Sequence, residues 1–84
     1  MNMNTTVKNI YRQAQSLTSS SIRVGDYEIQ FFGDDDKTQA IFARNFFGEN
    51  MDVKKLAGIC DEYGLMITRM DSSSEMVLLE DRPW

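Results

Sequence analysis

Few residues in this chain can do chemistry. It has no histidine and a single cysteine, Cys60. Without an imidazole there is no Ser-His-Asp or Cys-His nucleophile pair, no histidine general base and no mixed Cys/His zinc site. A lone thiol also excludes Cys-only zinc ligation and an iron–sulfur cluster held within the chain. Carboxylates, tyrosines, lysines and Cys60 remain, and no two of them stand at a spacing that demands catalysis. Cys60 falls on the apolar stripe of a predicted helix, near its C-terminus and beside Asp61 and Glu62. A reactive thiolate wants a helix N-terminus or a neighbouring base. The surroundings of Cys60 raise its pKa instead, and it reads as a small core hydrophobe. No catalytic residue, metal ligand or cofactor is expected.

Recognition chemistry is better represented. Asp34-Asp35-Asp36 is the most conspicuous polar run. Calcium and magnesium need oxygens converging on one point, which three consecutive residues seldom provide, and the alternate-position spacing of a calcium loop is absent. The run reads either as a solvated hairpin loop or as an acidic contact for a basic partner. Phe31-Phe32 and Phe46-Phe47 are adjacent aromatic pairs. Neighbours on a strand point to opposite faces, so one ring of each pair should enter a core and the other should lie outside. Tyr27, Ile29 and Phe31 form the inward alternation, which makes Phe32 the outward ring. A surface aromatic pair suits an interface, unless a helix, a loop or the tail covers it. Trp84, the last residue, follows Pro83 and either folds back or enters a partner's pocket. The expected partner-binding set is Phe32, Asp34, Asp35, Asp36, Phe47, Glu49 and Trp84.

The elements that must position these groups follow from periodicity. From Met3 to about Leu17, apolar residues recur every three or four positions (Val7, Ile10, Tyr11, Ala14), which predicts an amphipathic helix with Asn2 or Asn4 as its cap. Thr18-Ser19-Ser20-Ser21 should end it, because short hydroxyl side chains compete for backbone hydrogen bonds. Alternation then predicts a strand over 22–32. Its phase slips by one at Gly25-Asp26, which we read as a β-bulge rather than a tight turn. A second strand spans 38–47, apolar on both sides, and Gly48-Glu49-Asn50 stops it. A second helix runs from about 51 or 52 to Tyr63, with Val53, Leu56, Ala57, Cys60 and Tyr63 inward, Asn50 or Asp52 capping it and Gly64 closing it. Strands over 65–70 and 75–80 follow, joined by a turn at 71–74, with a tail over 80–84.

The chain thus reads as one α+β domain over 1–84, in the order helix-strand-strand twice. The expected architecture is a four-stranded antiparallel sheet with two helices on one face, its other face open to solvent or a partner.

With 84 residues the chain fits one domain with a modest core. No apolar run reaches the roughly 18–20 residues of a membrane span. No secretory signal pattern opens the chain, and the thiol-poor composition suits a reducing cytoplasm. The formal charge is −4, from 13 acidic against 9 basic residues. That balance disfavours direct nucleic-acid binding, which needs cations to displace counterions.

The function this supports is a non-enzymatic, acidic protein-binding module that occupies a surface on a larger, basic partner. By analogy of size and charge, this class includes virus-encoded inhibitors of host nucleic-acid-processing or CRISPR-type defence complexes. The alternative is a small regulatory or single-stranded nucleic-acid-binding module using an aromatic sheet face with Arg23, Arg44 and Arg69. A homodimer through an exposed sheet face or edge is also compatible with the pattern.

Overall fold

The computed structural model describes residues 7–34, 37–47, 50–70 and 75–84. Its elements are α1 (Val7–Ala14), β1 (Thr18–Val24), β2 (Tyr27–Asp34), β3 (Lys37–Asn45), α2 (Val53–Tyr63), β4 (Leu65–Met70) and β5 (Met76–Asp81). Among the described residues the strands make one five-stranded sheet, ordered β1-β2-β3-β5-β4, with every neighbouring pair antiparallel. This corrects the expected four strands. The Asn2 or Asn4 cap and the 71–74 turn lie outside the described residues.

The extra strand comes from the serines. α1 ends at Ala14, where the Leu17 N–H donates to the Ala14 carbonyl at 2.9 Å and the Ser16 hydroxyl donates to the Gln13 carbonyl at 3.0 Å. Thr18 then begins β1 instead of a loop. Thr18 to Val24 pair residue by residue with Gly33 back to Tyr27, and that ladder takes up the backbone groups of alternate residues. The phase slip at Gly25-Asp26 is a two-residue hairpin turn. Gly25 has φ +61°, a left-handed conformation glycine adopts without steric cost. The irregularity in this hairpin pair sits elsewhere, where the β2–β3 register shifts between Phe32 and Gly33. A Cβ on Gly33 would run into the Lys37 carbonyl oxygen, so the close backbone approach there depends on glycine.

The second correction concerns the faces. Tyr27, Ile29, Ile41, Ala43, Val77 and Leu79 point to one face and pack with Leu56 and Cys60 of α2. Phe32 and Phe42 point to the opposite face and pack with Val7 and Ala14 of α1, joined by Ile10, Tyr11, Ala40, Met76 and Leu78. The helices therefore lie on opposite faces, and neither face is wholly open. Alternation explains this: β3 and β5 are apolar at odd and even positions alike, so each face of the central sheet needs a cover.

α2 follows its sequence signals closely. The Asp52 carboxylate accepts from the Lys54 and Lys55 N–H groups at 3.1 and 3.3 Å, and Gly64 closes the helix at φ +69°. Its buried stripe is narrower than expected. Leu56 and Cys60 are buried with Ile59 half-buried beside them, while Val53, Ala57 and Tyr63 are exposed. No described helix is long and apolar enough to cross a membrane.

Two fully buried side chains on opposite faces test this arrangement. Leu56→Ala should lower the unfolding free energy by about 2–5 kcal/mol and Phe42→Ala by about 3–5 kcal/mol, measured by urea titration. A loss for Phe42→Ala below about 0.5 kcal/mol, the range of surface changes, would mean that α1 does not seal its face.

Candidate interaction surface

The described members of the expected contact set, Phe32, Asp34, Phe47 and Trp84, do not form one patch. Phe32 does point away from Tyr27, Ile29 and Phe31, as alternation requires, but it is only 4% exposed. It lies beneath α1, where Tyr11 meets Phe32 and Phe42 edge-to-face at centroid distances of 5.5 and 5.0 Å. Phe32 is therefore a core residue and presents no ring to a partner. Asp34 is exposed at the end of β2, opposite Lys37. Asp35, Asp36 and Glu49 lie outside the described residues. Leu79 pairs with Ile41, so β5 runs out toward the Lys37 end of β3 and carries the tail to the same end of the sheet as Asp34. Trp84 there is 83% exposed, with the Arg82 guanidinium 6.0 Å from its ring.

Phe47 stands at the opposite end, and it is not alone. Phe46 is 45% exposed and Phe47 63%, and their rings meet edge-to-face at 5.7 Å. Neither lies on a strand. β3 stops at Asn45, whose buried side chain accepts from the Phe47 N–H at 2.9 Å, while the Phe46 N–H donates to the Asp26 carbonyl at 2.6 Å. The alternation rule for strands therefore stops applying, and both rings emerge.

Arg23 completes this cluster. Its guanidinium carbon sits 3.9 Å from the Phe46 ring centroid and 5.9 Å from that of Phe47, and its Nε donates to the Gly25 carbonyl at 3.3 Å. Arg44 is occupied differently, in an ion pair with Glu28 at 3.1 Å. The Arg23–Phe46–Phe47 cluster is a cation–π assembly on a fixed backbone. Sequence reasoning placed Phe47 in the binding set but not Phe46 or Arg23. The turn-like run Asn45-Phe46-Phe47-Gly48-Glu49-Asn50 was the available signal that both rings leave the sheet.

Arg82 straps the tail to α2 and β4. Its N–H donates to the Gly64 carbonyl at 3.0 Å, its Nε donates to the Leu65 carbonyl at 2.9 Å, and its guanidinium pairs with Asp61. Cys60 lies buried beside this strap. Burial pushes its thiol pKa up, the Arg82 charge pulls it down and Asp61 pushes it up. Burial is the largest effect, ahead of the acidic neighbour on which the sequence reading relied. Among the described residues, no group of three or more His, Cys, Asp or Glu side chains could hold a metal ion.

The thiol gives a pH prediction. Because folding raises the Cys60 pKa above its ordinary value of 9.0, the unfolded chain ionises first as pH rises. The Cys60 contribution to stability should be whole below that value and fall as pH climbs through the folded pKa. Urea midpoints of the native protein should therefore decline in that alkaline range more steeply than those of Cys60→Ala. Parallel declines would contradict the burial-driven shift.

No family model, curated protein or solved structure matches this chain, so what the surface meets is read from its own geometry.

Proposed function

We propose that the protein is a non-enzymatic binding module that acts by occupying a surface on a larger protein. The observation that carries this reading is the exposed Phe46–Phe47 pair gripped by Arg23. Large rings left in water are unfavourable for a free monomer and are typical anchors of an interface. Both rings sit on hydrogen-bonded backbone, so little freedom is lost when they dock. The partner fitted by this chemistry offers an apolar pocket for the rings and basic groups for the acidic remainder of the chain. A charge of −4 speeds encounter with such a surface. Asp34 supplies an acidic contact at the far end of the sheet, and the Asp34-Asp35-Asp36 run it opens adds negative charge. Inhibitors of nucleic-acid-processing or CRISPR-type defence complexes share this size and charge, and such complexes are the first partners to test.

The experiment is capture by the immobilised full chain from the native cell at low salt. A larger, basic protein should be retained. The double variant Phe46→Ala/Phe47→Ala should weaken binding of that protein by about tenfold or more with little change in melting midpoint. Replacing Asp34, Asp35 and Asp36 by Ala should weaken it most at low salt, where exposed charges are least screened. Unchanged binding by the aromatic variant would overturn the reading. Oligonucleotide binding that falls steeply with salt would instead favour the single-stranded nucleic-acid module.

A further inference from the structure

We infer that the outer edge of β1 pairs with the same edge of a second copy of the chain, antiparallel about a two-fold axis at Ser21.

Among the described residues β1 is an end strand of the sheet and pairs with β2 alone. Six of its seven residues, Thr18 through Arg23, are exposed and Val24 is half-buried. The direction of its backbone groups follows from one bond. The Phe46 N–H donates to the Asp26 carbonyl, so the backbone of Asp26 faces β3 and that of Tyr27, the next residue, faces β1. Tyr27 pairs with Val24. Alternating back along β1, Val24, Ile22, Ser20 and Thr18 bond to β2, while Ser19, Ser21 and Arg23 turn their N–H and C=O groups outward.

An edge of this kind is a template for another strand unless something blunts it. The opposite edge is blunted: β4 carries a register shift between Ile67 and Arg69 and has α2 packed over it. β1 has neither device. Its register with β2 runs unbroken through seven pairs, it contains no proline, and Arg23 is its one charged residue.

The edge is also self-complementary, which selects a second copy as the occupant. With the axis at Ser21, Ser21 stands opposite Ser21 of the second copy and Ser19 opposite Arg23. All three outward residues then meet outward residues, and each pair exchanges two backbone hydrogen bonds. Each Arg23 faces a serine, so no like charges are opposed. The Thr18 end of one copy meets the Arg23 end of the other. On the other face Ile22, 37% exposed, gains Ser20 of the second copy as its direct neighbour and Ile22 as a diagonal one. The inference is separate from the proposed function, because the backbone edge reads a copy of itself while the aromatic pair reads another protein.

Sedimentation of the full chain from about 1 to 100 µM tests it. The native protein should approach twice the mass of one chain. Ser21→Pro deletes an outward N–H that β2 does not use, and Ser21→Lys or Ser21→Glu sets like charges face to face across the axis. Each should raise the dimer dissociation constant by about tenfold or more, with the melting curve preserved at dilutions where both chains are monomeric. Mixing Ser21→Lys with Ser21→Glu should restore the dimer, since opposite charges then face each other. Amides of Ser19, Ser21 and Arg23 should exchange more slowly at high concentration. A native protein that stays monomeric, a dimer indifferent to Ser21→Lys, or a mixture no better than either variant alone would each overturn the inference.

Discussion

Strands that are apolar at both odd and even positions leave two dry faces, and both must be covered. In this protein β3 and β5 impose that constraint. Ile41 and Ala43 face one way and Ala40 and Phe42 the other, while Val77 and Leu79 oppose Met76 and Leu78. A helix on one face alone would leave Phe42 and Leu78 in water. The chain therefore sends α1 to one side and α2 to the other. The Tyr11–Phe32–Phe42 ring cluster and the Leu56–Cys60 contact with the opposite face are the two halves of one solution. Three mutually edge-to-face rings also give the first half a fixed geometry, because aromatic pairs favour that angle over face-to-face stacking.

The size of the covers decides what stays exposed. α1 has eight residues, about 12 Å of helix, whereas five strands at about 4.8 Å spacing are far wider. Over β3 and β5 the α1 face is apolar. Over β2 it continues with Phe32 under α1 and half-buried Glu28 and Gln30, and over β1 it becomes exposed Ser19, Ser21 and Arg23. The uncovered hairpin and the ring pair beyond β3 thus follow from covering the centre with short helices. The surfaces left exposed are those the core could not reach.

Much of this was legible in the sequence, and the misses share a cause. Asp52, the Leu56/Cys60 spacing and Gly64 each act within one element, so α2 could be read locally. β4 was bounded correctly by Gly64 and by the polar run after Met70. The serines of β1 were misread because their preference for turns is a local tendency, overridden by pairing with Gln30, Phe31, Phe32 and Gly33. Treating them as a loop made the strand before Gly25 look too short for a hairpin and turned a turn into a bulge. The two-sided apolarity of residues 40–47 was visible from the start. Its consequence, a helix on each face, needed the sheet order, which periodicity does not encode. Phe32 was assigned the correct direction and the wrong environment for the same reason. For Phe46-Phe47, alternation leaves open which ring is exposed and allows only one, because it extends past Asn45, where the side chain ends the strand.

Placement of the two helices on opposite faces is most directly measured by nuclear Overhauser contacts in the folded protein. Tyr11 ring protons should give cross-peaks to the rings of Phe32 and Phe42, and Leu56 methyls should connect within the cluster of Ile29, Ala43 and Leu79. Cross-peaks from Tyr11 or Val7 to Ile29, Ala43 or Leu56 would put both helices on one face and contradict it.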